Sequence, residues 1–308
     1  MGLFKKAKKG NREKIVVKPA AQITEKKTMP RPYEPPKLPD FDIPRVSYKK
    51  TDKAVIKEMP DPEKEFLKAF KKLARNHRGY DVWADFVVMS ACAISNAVDR
   101  DKAKYEEREN RYLQLIKKYS PDEQQIFPEL MAHLTMALEF NPEQDFLGKL
   151  YTELDLYDRG RDQFFTPYHI CQLMADISIG DEQLLNQVEE DGYITIHDPC
   201  CGAGATLIAG VYSVRKTLEK ENLNFQNHVL VSGQDIDEIV ALMCYLQLSL
   251  LGVAAYIKVG NSFTDPMTEG DTLENYWFTP MYFMDVWPNR RTIQKIRETM
   301  KYLLKEEP

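Results

Sequence analysis

The stretch Ile194-Thr195-Ile196-His197-Asp198-Pro199-Cys200-Cys201-Gly202-Ala203-Gly204-Ala205-Thr206 decides how the rest of the chain is read. A β-branched run closes on Asp198, two glycines follow at spacing i, i+2, and a small-residue apolar segment continues to Tyr212. That pattern is a strand, a glycine turn and a helix start. Glycines at this spacing let the backbone pass close to a ligand with no Cβ in the way, and the helix beyond them offers free N–H groups. A nucleotide-like cofactor suits such a turn, although a lone Gly-x-Gly is equally an ordinary strand-to-helix connection.

Working outward, His228–Asp235 reads as a second apolar strand that ends in an acid, about thirty residues beyond the glycine turn. An acid at the tip of the second strand of a dinucleotide-type fold can accept hydrogen bonds from ribose hydroxyls. Ile239–Leu251 is an apolar helix, and Ala255–Val259 a third strand that runs into Gly260-Asn261. Upstream, Gln163-Phe164-Phe165-Thr166-Pro167 precedes an amphipathic helix over Tyr168–Ile177, which Pro167 starts well.

The run Asp198-Pro199-Cys200-Cys201-Gly202-Ala203-Gly204 resembles the S-adenosylmethionine (SAM) motif of the N6-adenine DNA methyltransferases. The likeness is greatest to the modification subunits of type I restriction systems and their phage relatives, where Asp-Pro-x-Cys-Gly-x-Gly is usual. Gln163–Pro167 resembles that family's other cofactor motif. The resemblance implies that Phe164, Phe165, Thr166 and Pro167 cover SAM. It also implies that Asp198, Pro199, Cys200, Gly202 and Gly204 form the turn around it, and that Asp235 holds the ribose. The family carries Asp where this chain has Asn261, whose amide oxygen can still accept from the cofactor's amino group.

The same resemblance implies Asn-Pro-Pro-Tyr or Asn-Pro-Pro-Phe after a fourth strand, to accept the adenine N6 hydrogens and stack on a flipped base. The nearest segment is Phe278-Thr279-Pro280-Met281-Tyr282, which makes Thr279, Pro280 and Tyr282 the catalytic candidates. Equally, residues 277–287 can be an aromatic-rich strand and turn.

Composition bounds the rest. The 308 residues carry a net charge of -5, but residues 1–59 hold sixteen Lys and Arg against seven Asp and Glu, together with closely spaced prolines. They read as a disordered Lys/Pro-rich tail, either a solvated linker or an arm for DNA phosphates. Five cysteines without C-x-x-C spacing suggest small apolar residues in a reducing cytoplasm, not metal ligands. No segment is expected to supply the eighteen or so apolar residues of a membrane span. From Asp61-Pro62 onward, helices are expected over 61–79, 82–98, 102–119, 122–139 and 144–156.

The expected architecture is therefore α/β: a tail (1–59), a helical subdomain (60–160) and a shortened Rossmann-like SAM-binding domain (161–308) of about four parallel strands with helices on both faces. By resemblance the expected function is SAM-dependent, adenine-specific (N6) DNA methylation, with DNA and a specificity or second methyltransferase subunit as partners. The alternative is a catalytically inactive SAM-binding homologue that acts as a partner subunit or regulator.

Overall fold

Asp61 and Pro62 begin the first helix, α1 (Pro62–Leu73), by accepting the Glu63 N–H and by fixing φ at the first helical position. The fold was obtained as a computed structural model and describes residues 61–156, 165–268, 271–293 and 296. Residues 1–59, the expected tail, lie outside it, as do Gln163 and Phe164.

Helix α1 buries Phe66, Ala69, Phe70 and Leu73, all on one stripe. Helix α2 (Gly79–Val98) is apolar nearly all round and runs through the core, where Trp83 and Phe86 meet Phe66 edge-to-face at 6.0 and 5.7 Å. By length and composition α2 could cross a membrane, contrary to the expectation that no segment would, yet Val82, Trp83, Phe86 and Val87 are buried here against other helices.

Helix α3 (Lys102–Ile116) buries only Arg108, which pairs with Asp99 at 2.9 Å and lies over the Trp277 ring. The single helix expected over 122–139 is two, α4 (Pro121–Gln124) and α5 (Ile126–Phe140). Pro128 explains the break, because it has no N–H for the Gln124 carbonyl and its ring crowds that group. Helix α6 (Phe146–Glu153) follows, capped by Asp145.

The α/β part runs α7 (Tyr168–Ser178), α8 (Asp181–Asp191), β1 (Ile194–Asp198), α9 (Ala205–Lys220), α10 (Phe225–His228), β2 (Val229–Asp235), α11 (Glu238–Leu250), β3 (Ala254–Val259) and β4 (Tyr276–Phe278). A 3₁₀ turn, Pro280–Phe283, ends it before a helical segment that begins at Trp287. The sheet order is β1-β2-β3-β4. The first three strands are parallel, in register Asp198↔Gly233 and Gly233↔Ile257.

The expectation of four parallel strands is corrected at β4, which pairs antiparallel to β3 through Tyr256↔Phe278 and Lys258↔Tyr276. A parallel return needs a crossover, usually a helix. Here the chain after β3 is instead held against it. The buried Lys258 ammonium donates to Asp265 Oδ1 (2.8 Å), Asp271 Oδ2 (2.7 Å) and the Pro266 carbonyl (3.1 Å), so the chain doubles back.

One sheet face, carrying Ile196, Gly233 and Ile257, packs on α9. A Cβ at Gly233 would lie 2.9 Å from Leu207. The opposite face carries His197, Ser232 and Tyr256, with Tyr276, Phe278 and Tyr282 gathered around the Tyr256 ring. Helices on both faces were expected. Among the described residues, aromatic side chains and the 3₁₀ turn line much of this second face, and Thr195 and His197 of β1 are exposed. The helical segment and the sheet share one hydrophobic core, from Phe66 to Trp277.

Candidate functional site

The glycine turn owes its shape to two backbone–backbone hydrogen bonds, one from a backbone N–H to a side chain, and two left-handed glycines. Asp198 Oδ1 accepts the Cys200 N–H at 2.9 Å, which turns the chain sharply after β1. The Cys201 N–H donates to the Gln234 carbonyl at 2.9 Å, tying the turn to β2, and the Gly204 N–H closes onto Cys201 O at 2.9 Å. Gly202 and Gly204 have φ of +55° and +100°. A Cβ at Gly204 would lie 2.9 Å from Cys244 Sγ, and one at Gly202 would press on the Phe165 ring at 3.3 Å. Only glycine fits both conformation and space, and Gly204 then caps α9, whose first N–H groups face the same end of the sheet.

Asp235, at the tip of β2, reaches across to this turn. Its Oδ2 accepts the Gly202 N–H at 2.9 Å and its Oδ1 the Asp237 N–H at 3.0 Å. Burial pushes the Asp235 carboxyl above the ordinary carboxylate value, against the pull of those two N–H donors. Asp237 in turn caps α11 by accepting from Ile239 and Val240. Phe165, half-buried, stands over Gly202 and meets Tyr151 edge-on at 5.8 Å. Thr166, Pro167, Pro199 and Cys200 are exposed around the same turn. Phe165, Asp198, Gly202, Gly204 and Asp235 are thus gathered at the C-terminal ends of the parallel strands, where an open α/β sheet binds ligands.

Asn261 is also at this end, but its oxygen is engaged. Asn261 Oδ1 accepts from the Phe263 N–H (2.9 Å) and the Thr264 N–H (3.3 Å). A cofactor amine would have to displace one of these, because an amide oxygen has two lone pairs.

Three contributors escape the sequence patterns. Ile236, directly after Asp235, is 67 % exposed, and Phe263, two residues beyond Asn261, is 91 % exposed. Two large apolar side chains in the loops after β2 and β3 are unfavourable in water and are suited to cover a flat ring. Their only sequence signal is an apolar residue where a loop would be polar. The third is Gln247, fully buried in α11. Its Nε2 donates to Ala203 O (2.9 Å) in the glycine turn and to Asp145 Oδ1 (2.8 Å), while its Oε1 accepts the Leu147 N–H (3.1 Å). Through this one amide the start of α6 is fastened to the turn. A lone Gln in an apolar helix is the signal that could have found it.

The catalytic candidates lie elsewhere. Because β4 is antiparallel, Thr279 sits at the N-terminal end of β3, about 13 Å along the strand from the level of Asp235 at 3.3 Å per residue. Its hydroxyl is fully buried, accepts the Ala255 N–H (2.8 Å) and donates to Val253 O (2.7 Å). Tyr282 carries the Arg291 guanidinium 3.9 Å from its ring centre, and Pro280 opens the 3₁₀ turn. Thr279, Pro280 and Tyr282 therefore lie away from the glycine turn. The cause is the strand direction, which the aromatic pattern of 276–283 could not reveal.

Residues 143–305, more than half of the chain, match the family of N-6 DNA methylases. Among solved structures, the chain is similar to a type I restriction-modification system methyltransferase subunit from Streptococcus thermophilus, with 14% identity and a TM-score of 0.38 over 68% of this chain and 60% of that one. It is also similar to a protein described as a class I SAM-dependent methyltransferase from Listeria monocytogenes, with 13% identity and a TM-score of 0.35 over 67% of this chain and 55% of that one. The chain therefore spans just over half the length of the structures it matches. No curated protein matches it.

Proposed function

This chain belongs to the N-6 DNA methylase family, and we propose that it binds SAM at the glycine turn as the cofactor-bearing part of an adenine-specific (N6) DNA methyltransferase. The observation that carries the reading is the 2.9 Å hydrogen bond from Gly202 N–H to Asp235 Oδ2, which joins the turn after β1 and the acid after β2 in one site.

The residues fit the cofactor. Gly202 and Gly204 leave room for close approach, and the start of α9 supplies N–H donors. The Asp235 carboxylate exchanges its backbone partners for the two ribose hydroxyls. Ile236 and Phe263 cover the adenine ring, Phe165 shields the methionine end, and Asp198 and Cys200 hold the shape of the turn. Thr166, Pro167 and Pro199 complete the rim, and Asn261 takes the adenine amine only after releasing Phe263 N–H or Thr264 N–H. When bound, SAM supplies a sulfonium methyl that the N6 of adenine can attack.

Receiving that adenine requires acceptors for its N6 hydrogens. Asn-Pro-Pro occurs nowhere in the 308 residues, and Thr279 is committed to β3. Acceptors supplied by a specificity or second methyltransferase subunit, with DNA as substrate, fit this reading. The burial of Thr279 also favours a second reading, a SAM-binding homologue that regulates a partner without transferring methyl itself.

The test is transfer of labelled methyl from SAM to unmethylated DNA of mixed sequence, followed by digestion to nucleosides. Label in N6-methyladenine, raised by adding a partner subunit, is the expected outcome. Label in another base would refute adenine specificity. SAM binding with no label under either condition would move the assignment to the regulator.

A further inference from the structure

Helix α3 meets the α/β part through charged side chains. Lys104, Arg108 and Arg111 recur at i, i+4, i+7 and so lie along one face. Each reaches a different place. The Lys104 ammonium donates to the Leu273 carbonyl at 2.5 Å, between β3 and β4, and the Arg108 guanidinium lies 4.9 Å from the centre of the Trp277 ring in β4. Arg111 donates to both oxygens of Glu238, from Nη1 to Oε1 at 2.6 Å and from Nη2 to Oε2 at 2.7 Å.

Glu238 is the first residue of α11, and the turn that leads to it begins at Asp235, the last residue of β2. At the strand end the Asp235 carbonyl accepts the Gly260 N–H at 2.9 Å. At the helix end Asp237 accepts the Ile239 and Val240 N–H groups and gives its own N–H to Asp235 Oδ1. Between the two, Ile236 is exposed, so packing does little to hold the turn. Asp235, Asp237 and Glu238 also crowd three carboxylates into this one turn. Burial, with Asp237 and Asp198 nearby, raises the Asp235 carboxyl, so further negative charge here is unwelcome. Arg111 brings a countercharge from another element, and its planar fork fixes direction as well as distance.

We infer that Arg111 is a positioning residue for the cofactor site: clamped on Glu238, it sets the start of α11 and with it the turn Asp235-Ile236-Asp237. The inference rests on the SAM reading above, in which Asp235 holds the ribose and Ile236 covers the adenine. Arg111 acts on both through Glu238. Both members of the pair are more than one-third exposed, so the pair adds little to folding stability, and cofactor affinity is where its geometry is felt.

The experiment is calorimetric titration of the full chain and its variants with SAM and with methylthioadenosine, which keeps the adenine and ribose and lacks the methionine end. Arg111→Gln and Glu238→Gln should each bind SAM about tenfold more weakly, and the double variant no more weakly than either, because the two residues act as one unit. Methylthioadenosine should lose affinity by the same factor. Arg111→Lys keeps the charge without the fork and should recover only part of the loss. Melting temperatures should stay close to that of the intact protein, which a merely structural pair would not combine with lost affinity. Unchanged affinity in Arg111→Gln, losses that multiply in the double variant, or a loss seen with SAM and not with methylthioadenosine overturns the inference. Should Arg111→Gln fail to melt cooperatively, Glu238→Gln and Arg111→Lys decide, and intact affinity in both overturns it. Absence of SAM binding by the intact protein sinks the cofactor reading itself, whereas equal binding by intact protein and variants sinks the positioning role alone.

Discussion

The two edges of the sheet are finished in opposite ways. Beyond β3 the edge is closed: β4 returns antiparallel, the Thr279 hydroxyl bridges Ala255 N–H and Val253 O, and Lys258 binds the connection through Asp265 and Asp271. Beyond β1 no strand pairs among the described residues, and a groove and an exposed apolar stripe lie beside it. Polar side chains at the closed edge are spent on main-chain groups and on one another, so they stabilise. At the Asp198 end of β1 the glycine turn instead leaves Thr166, Pro167, Pro199 and Cys200 exposed. The contrast gives Thr279 a structural task, bridging Ala255 N–H and Val253 O.

The largest expected effect is at the closed edge. Thr279→Val removes a hydroxyl that serves two buried backbone groups, and should destabilise the protein by about 2–4 kcal/mol. Thr279→Ser keeps the hydroxyl and should recover most of this. SAM affinity of the folded protein should be unchanged in both. A Thr279→Val protein with normal melting temperature and no methyl transfer would break the comparison and restore a chemical role.

Gln247→Leu comes next. It strands Ala203 O and Leu147 N–H, for a loss of about 1–3 kcal/mol. Because Ala203 lies between Gly202 and Gly204, SAM binding should weaken roughly tenfold as well, about 1.4 kcal/mol. Calorimetry separates the two effects, since purely structural damage would lower the melting temperature and leave affinity intact.

The smallest effects are in pH dependence, and they have opposite signs. Lys258, Thr268 and Tyr276 hold the Asp271 carboxyl well below its ordinary 3.8. A lowered folded pKa gives stability that is present above that ordinary value and is lost as pH falls toward the folded one. Asp271→Asn should flatten the acid limb of the melting curve. Burial raises Asp235 instead. Its contribution is complete below 3.8 and is lost as pH rises through the raised value, so Asp235→Asn should remove a decline in stability on that side. Identical pH profiles for the two variants would contradict the assignment of opposite environments.

Much of the glycine turn and its surroundings was legible in the sequence because local rules fix it. Asp198, Gly202, Gly204 and Asp235 sit at strand ends whose positions follow from β-branched runs and turn glycines, and helix starts such as Asp61-Pro62 are set by neighbouring residues. What the sequence hid depends on distant contacts. The direction of β4 is decided by Lys258 reaching Asp265 and Asp271, and the role of Gln247 by groups some 44 to 102 residues away. The break at Gln125 was local, since Pro128 lies inside the stretch expected as one helix over 122–139. The position of Thr279, Pro280 and Tyr282 was hidden too, because a Thr-Pro-x-Tyr string carries no information about which end of the sheet it reaches.

The measurement that bears most directly on the central claim is calorimetric titration of SAM into the intact protein and into Asp235→Ala, with thermal unfolding of each alongside. Saturable one-to-one binding by the intact protein is expected, with about 2.7 kcal/mol of added stability at a hundredfold excess over Kd, and its loss in Asp235→Ala. Binding of equal strength in both proteins, or none in an intact protein that melts cooperatively, would contradict a SAM site built on the contact between Gly202 and Asp235.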